Sequence, residues 1–256
     1  MTKILLRKQL AEIFRTYLYD AKKNKARSKG TVIAYFVLFA LLMVGLLGGM
    51  FTFLAFTLRS TIAAGYGWFY YLIFALAAVC IGAFGSVFNT FSGLYLSRDN
   101  DLLLSMPIPV HSIMASRLLT VFLMGLMYSG VVSIPAAIVY LATAGFSLSA
   151  LLGAVLFVTL IAVFVLVLSC LLGYGVARLS LKLKNKSFMT VIFALLFIAI
   201  YYFAYFKAGS FIGEIVANIA LYGEDLHASA PVVFGIGRAF EGDLLPVSYT
   251  HLTLPT

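Results

Sequence analysis

Charged residues are scarce in this sequence. Only 11% of its 256 residues are Asp, Glu, Lys or Arg, whereas 63% are hydrophobic and the mean hydropathy is +1.06. A soluble domain carries about a quarter of its residues as charges. A soluble fold is therefore excluded, and the composition predicts an integral membrane protein.

Reactive motifs are also missing. The sequence has no GxxxxGK[ST] phosphate loop, HExxH zinc motif, CxxC pair or GxSxG nucleophile elbow. Its two cysteines, Cys80 and Cys170, lie in apolar stretches, where they act as small hydrophobes and provide neither a disulfide framework nor a metal site. We therefore predict that the chain is not an enzyme and that it binds no metal or other cofactor itself.

Acidic residues are absent from the long apolar stretches. All nine Asp and Glu residues fall in predicted loops or near chain ends. Proton and ion relays usually place paired carboxylates inside the membrane. Their absence argues against a secondary transporter with a charged midplane site and against an intramembrane protease.

Five apolar stretches are long enough to cross a bilayer as helices, which takes about 20 residues each. They cover residues 31–58, 68–96, 118–144, 148–176 and 188–206. The predicted fold is an all-α integral membrane protein: a polytopic helix bundle with five transmembrane helices in residues 31–206, followed by the start of a truncated sixth. Trp68, Tyr70 and Tyr71 are predicted to form an aromatic belt at the membrane interface.

Basic residues give the chain a net charge of +9, but they are unevenly distributed. Nine of the eighteen Lys and Arg residues precede residue 30. With a cytoplasmic N-terminus, fifteen lie on the cytoplasmic side and three outside, as the positive-inside rule requires. The charge is therefore a topology signal and not a nucleic-acid groove. Residues 1–30 are predicted to form a cytoplasmic amphipathic helix at the lipid interface.

A cluster of charges separates the second and third predicted spans. Residues 97–117 read SRDNDLLLSMPIPVHSIMASR. Asp99 and Asp101 suit a helix start, and Pro107 and Pro109 should stop that helix near residue 105. Ser112 is then predicted to cap the next helix. From this pattern alone, the segment is either an amphipathic loop lying on the lipid surface or a docking element for a soluble partner.

Small and polar residues mark the inner faces of the predicted second and third spans. Gly82, Gly85, Ser86 and Asn89 fall in the second half of span two, and Pro135 interrupts span three. An amide within hydrocarbon needs a partner, so this face should point inward. The residues are predicted to serve helix packing, with contact to a transported molecule as the alternative.

The remainder of the chain is more polar. Residues 207–245 carry five of the nine acids and are predicted to form an extracytoplasmic or re-entrant region, with loops at His227 and Pro231. Residues 246–256 carry no charge, and SYTHLTLPT within them resembles a translated sequencing adapter. We therefore expect 246–256 to be a non-native tail that cuts the chain where a sixth span begins.

Taken together, these features resemble the membrane subunit of bacterial ABC-2 type exporters. The resemblance covers about residues 1–245: a basic amphipathic N-terminus, a loop of the form S-R-D-x-D-L-L-L-S-M-P-I-P between spans two and three, a basic loop before span five, and a re-entrant region before a sixth span. Its most specific part is residues 101–109, with Arg117 following.

The resemblance implies a multi-pass permease in the bacterial inner membrane. Such a permease pairs with a second permease subunit, and a separate cytoplasmic ATPase binds ATP and Mg²⁺. It further implies that the coupling helix contacting the ATPase includes Arg98, Asp99, Asp101, Leu102, Leu103, Leu104, Pro107 and Pro109. The competing interpretations are a non-transport assembly or sensor subunit that recruits a soluble partner through the same loop, and a membrane-embedded enzyme acting on lipid.

Overall fold

Four long apolar helices dominate the structure, a computed structural model in which about 89% of the described residues are helical. It describes residues 2–20, 25–95, 105, 107–182 and 217–243, together with 195, 198–199, 202–203, 206–207 and 213–214. The four helices long and apolar enough to cross a membrane are Lys29–Ala63, Gly67–Tyr95, Val110–Ala144 and Leu148–Arg178. They are called the first to fourth spans, and they identify a multi-pass helical membrane protein. Most of the predicted fifth span, and the predicted start of a sixth, lie outside the described residues.

The N-terminal segment folds back on the start of the first span. Helices α1 (Thr2–Ile13) and α2 (Arg15–Leu18) precede two short antiparallel strands, β1 (Tyr19–Asp20) and β2 (Lys25–Ala26). The Tyr17 ring then lies 6.1 Å from that of Tyr35, onto whose hydroxyl Arg27 donates a 3.0 Å hydrogen bond.

The first span consists of four consecutive helical segments. These are α3 (Lys29–Ala40), a π-helical stretch at Leu41–Gly48, α4 (Gly49–Thr57) and α5 (Arg59–Ala63). Ser28 caps its start by accepting a hydrogen bond from the Thr31 backbone at 3.3 Å. The span therefore begins within two residues of the predicted position, because an N-cap serine fixes where the helix can start.

The other three spans follow in chain order. The second comprises α6 (Gly67–Thr90) and a π-helical turn at Phe91–Tyr95, the third is α7 (Val110–Ala144), and the fourth belongs to α8 (Leu148–Lys182). Gly65 and Gly145, at φ of 85° and 92°, make the turns before the second and fourth spans. Successive spans therefore run in opposite directions. We call the end that carries residues 96–109 the loop end and the opposite one the far end.

The densest core lies at the far end. The Tyr71 ring packs 4.6 Å from that of Tyr140 and 4.8 Å from that of Phe157, and Tyr70 donates a 2.9 Å hydrogen bond to the Ala136 carbonyl. Both Tyr70 and Tyr71 are completely buried. The prediction of an interfacial aromatic belt here is wrong, because these rings fill the space between spans.

Two short helices, α9 (Ile219–Ser229) and α10 (Pro231–Glu241), cover part of that core. The Phe234 ring of α10 packs 4.9 Å from Trp68, and Phe240 lies 5.1 Å from Phe157. The loops predicted at His227 and Pro231 are both wrong, since His227 lies within α9. Proline lacks only an N–H that the first turn of a helix does not use, so Pro231 starts α10.

Candidate functional site

The predicted docking loop is only partly described. Arg98, Asp99, Asp101, Leu102, Leu103 and Leu104 lie outside the described residues, whereas the two flanks of the loop are described. Pro107 and Pro109 lie in an exposed segment directly before the third span. The site is therefore built from the flanks, the elements that hold the loop to the bundle.

The third span starts earlier than predicted. It begins at Val110, directly after Pro109, and the Pro109 carbonyl accepts a 2.9 Å hydrogen bond from the Ser112 backbone. The prediction that Ser112 caps this helix is wrong, since Ser112 lies inside it and is buried. Proline has a fixed φ and disfavours helical geometry in the residue before it, so the helix starts where the prolines end.

Helix α1 packs against the start of the third span, which forms the C-terminal flank of residues 97–117. Leu5 of α1 is buried against Ile113, and Ile108 of the same flank packs on this pair. The Gln9 amide donates to Ser116 Oγ at 3.3 Å and accepts from Thr120 Oγ1 at 2.9 Å. One side chain of α1 therefore bonds to two successive turns of the third span.

These polar contacts lie on a buried stripe of the third span. Ser112, Ser116, Arg117 and Thr120 are each at most 7% exposed. The Ser116 hydroxyl also donates to the Ile113 carbonyl, and the single proton of the Thr120 hydroxyl is shared between Gln9 Oε1 and the Ser116 carbonyl, which lies 2.8 Å away. The stripe offers satisfied hydroxyl groups to Gln9, so the docking of α1 leaves neither Ser116 nor Thr120 without a partner.

The other flank of the loop rests on the fourth span. Tyr95 is the last described residue of the second span, and its hydroxyl donates a 3.0 Å hydrogen bond to the Cys170 carbonyl. Its ring lies 6.2 Å from that of Tyr174. The two flanks of the loop thus contact two different elements, the fourth span and α1.

Four of the predicted interior residues lie where the second span meets the third and fourth. A methyl group on Gly82 would come within 2.8 Å of Val165, and one on Gly85 within 2.7 Å of the Tyr128 ring. Ser86 Oγ lies 2.5 Å from Ser169 Oγ, and the Asn89 side chain is within hydrogen-bonding reach of Tyr128. These are the contacts of closely packed helices, because no space for a side chain is left at either glycine.

Pro135 lies inside the third span, which continues as a helix on both sides of it. The proline is half-buried, and its neighbour Ala136 is completely buried. The Ala136 carbonyl accepts the hydrogen bond from Tyr70 described above. A hydroxyl from the second span therefore supports the backbone next to the position where proline removes a helical donor.

Sequence reasoning missed a closely packed joint at the far end. A side chain on Gly153 would collide with the Phe240 carbonyl, and one on Gly237 would come within 2.9 Å of the Trp68 carbonyl. Gly242 adopts a φ of 99° against Ser149. We call these contacts of α10 with the second and fourth spans the far joint. At Gly237 and Gly242 the absence of a side chain lets the backbone at α10 touch the backbones of the second and fourth spans.

The far joint also holds a charge cluster. Arg238 pairs with Glu241 at 3.2 Å and with Asp243 at 2.9 Å. The Glu241 carboxylate accepts a hydrogen bond from the Trp68 backbone, at the positive end of the second span. Burial raises the pKa of the Glu241 carboxyl, against the lowering influences of Arg238 and of the Trp68 hydrogen bond. The cluster fastens α10 to the start of the second span.

Metal binding receives no support from the part of the chain that the structure describes, where no three His, Cys, Asp or Glu residues come together. The arrangement instead offers mechanical contacts: a loop held at both flanks, and a far end closed by packing. Comparisons with protein-family models, curated proteins and solved structures found no match.

Proposed function

We propose that this chain is the permease subunit of an ATP-driven exporter of the ABC-2 type, coupled to a separate cytoplasmic ATPase through residues 97–117. The observation that supports this best is the fastening of both loop flanks, Tyr95 to the fourth span and Ile108 to α1. A loop that merely connects two spans needs no such supports. A loop that receives a push from a partner needs them, because the push must reach the bundle.

The proposed orientation puts the loop end in the cytoplasm. Arg7, Lys8, Arg15 and Lys29 lie on exposed positions near that end, while the far end carries Glu224, Asp225, Glu241 and Asp243 on or beside α9 and α10. The division agrees with the positive-inside rule. The membrane in this proposal is the bacterial plasma membrane.

A fifth crossing is part of the proposal. Helix α8 ends at Lys182 at the loop end, and α10 packs on Trp68 and Phe157 at the far end. A fifth crossing by the predicted span 188–206 would connect these two ends. A sixth span after residue 245 completes the permease, which pairs with a second permease subunit.

The work of the cycle is divided between subunits. The ATPase binds ATP and Mg²⁺ and supplies the free energy, while this chain binds neither. Closure of the ATPase displaces residues 97–117, and with them the ends of the second and third spans, while the lipid-facing surfaces of the spans keep the bundle in the membrane. The apolar and aromatic interior favours a hydrophobic or amphiphilic cargo.

The test is co-purification of a tagged chain from its native membrane, followed by measurement of ATP hydrolysis. We expect a P-loop ATPase to accompany it, and we expect Leu103→Asp to abolish the hydrolysis stimulated by this chain, because a carboxylate cannot enter an apolar docking cleft. Leu103→Met, which keeps volume and apolarity, should retain it.

Two other results would replace the exporter. Capture of a soluble protein that is not an ATPase would make the chain an assembly or sensor subunit that uses the same loop. Full stimulated hydrolysis by Leu103→Asp, with normal membrane insertion, would remove the loop from the mechanism.

A further inference from the structure

The second span changes its helical geometry just before the loop. Residues Gly67–Thr90 are α-helical, and Phe91–Tyr95 form a single π-helical turn. Before this turn the span is firmly packed: Ser86 and Thr90 are completely buried, and Ser86 meets Ser169 at 2.5 Å. The turn itself has no buried residue. Single π-helical turns of this kind occur often at functional sites.

Tyr95 ties this turn to the fourth span. Helical side chains point back toward the N-terminus, so the Tyr95 ring lies along the fourth span beside Gly173 and its hydroxyl reaches the Cys170 carbonyl at 3.0 Å. A methyl group on Gly173 would lie 3.2 Å from both the Tyr95 ring and Thr90 Cγ2. Glycine at 173 thus lets the end of the second span lie directly on the fourth.

We propose that Tyr95 is a positioning residue that makes the fourth span follow the 97–117 loop. The inference rests on the proposed function, and it adds the element that receives the motion. Tyr95 lies two positions before the loop, so displacement of the loop pulls on its side chain. The hydrogen bond and the ring contact pass that displacement to the fourth span at Cys170, which directly follows Ser169 of the Ser86–Ser169 contact, and at Tyr174.

The native thiol of Cys170 reports on this contact. In a Cys80→Ala background it is the only thiol in the chain. The first measurement is the rate of maleimide labelling of Cys170 in nanodiscs without a partner. Tyr95→Phe should raise the rate about threefold to tenfold, because loss of one interhelical hydrogen bond favours the open state by that factor. Gly173→Ala, which separates the same surfaces, should act in the same direction.

A matched control removes the hydroxyl of Tyr174, whose ring contacts that of Tyr95. Tyr174→Phe keeps both rings and the Tyr95 hydrogen bond, so it should leave the labelling rate unchanged. An unchanged rate in Tyr95→Phe would overturn the proposal at this stage, since the hydroxyl would then not hold the two spans together.

The second measurement uses the complex with its co-purified ATPase. ATP should change the Cys170 labelling rate when Tyr95 is intact, and this change should disappear in Tyr95→Phe while hydrolysis continues. An equal ATP response in both proteins would overturn the role of Tyr95 and leave the exporter intact. Absence of any ATPase would instead remove the proposed function, and with it this role for Tyr95.

Discussion

The two ends of the bundle are held together by different kinds of contact. At the far end, aromatic rings fill the space between spans, and glycines let α10 touch the second and fourth spans through backbone atoms. At the loop end, single side chains make the connections, chiefly Gln9 and Tyr95. Ring packing and backbone contact are hard to shift, whereas one hydrogen bond opens at a cost of about 1 kcal/mol. We therefore expect the contacts at the far end to be harder to displace than those at the loop end.

The most damaging change should be to the far joint. Gly153→Val places a branched side chain against the Phe240 carbonyl, where not even a methyl group fits. Overpacking of this kind lowers the free energy of unfolding by about 1–3 kcal/mol or more. We therefore expect α10 to separate from the second and fourth spans. The single tryptophan, Trp68, is buried beside Phe234 and should shift its fluorescence as it becomes exposed.

The same helix provides the control for that change. Gly175 also belongs to α8, but nothing lies within 4 Å of the position a side chain would take. Gly175→Val should therefore leave Trp68 fluorescence and the thermal midpoint nearly unchanged. Equal destabilisation by both variants would mean that helix propensity and not the far joint governs the effect.

Gln9→Ala should have the next largest effect, and only at the loop end. Losing both hydrogen bonds to the third span should raise the population of undocked α1 about fivefold, equivalent to about 1 kcal/mol. Trypsin cleavage at Arg7 and Lys8 measures that population, since cleavage requires α1 to open. Glu12→Ala, at an exposed position of α1, should leave the cleavage rate unchanged, and a fluorescence shift at Trp68 in Gln9→Ala would contradict the independence of the two ends.

The Ser86–Ser169 contact lies between the two ends and should be weaker than either. A double-mutant cycle with Ser86→Ala and Ser169→Ala should give a coupling free energy of about 0.6 kcal/mol, the usual value for hydroxyl pairs between membrane helices. Denaturation in mixed micelles measures it. A coupling free energy of zero would mean that each serine hydroxyl bonds within its own helix, as Ser86 does by donating to the Gly82 carbonyl.

The smallest expected effect is a dependence of the protein's stability on pH. The raised pKa of Glu241 means that the folded protein binds this proton more tightly than the unfolded chain does. Stability should therefore decline as pH rises from the ordinary glutamate pKa through the raised one. Thermal midpoints measured across this range should show the decline, and Glu241→Gln should abolish it. Glu224→Gln, on the exposed side of α9, should keep the slope of the unmodified protein.

The sequence predicted which segments cross the membrane better than it predicted what they touch. The fourth span starts at Leu148 as expected, and the third ends at Ala144, because long apolar runs bounded by glycine and serine leave few alternatives. Tyr70 and Tyr71 were misassigned because a tyrosine at the membrane interface and a tyrosine buried between helices look the same in the sequence. Hydropathy does not tell whether an apolar helix face contacts lipid or another helix, because both surroundings are apolar.

The sequence predicted where the candidate site lies along the chain, but not which residues hold it to the rest of the bundle. The charge cluster and prolines of 97–117 mark a break between spans, and the third span does begin directly after Pro109. Nothing local indicates that Gln9 reaches Ser116 and Thr120, or that Tyr95 reaches Cys170, since these pairs are separated by 75 to 111 positions. Contacts over such distances depend on the packing of whole helices.

The exposed first span bears on how the protein is made. Only 6% of its most apolar window is buried within the chain, against 50% for the third span. During synthesis it leaves the ribosome before the second and third spans exist, so it must be stable in lipid by itself. A helix that depends so little on its neighbours meets this condition, and its later attachment through Phe51, Ala55 and Leu58 can wait until the aromatic core has been synthesised.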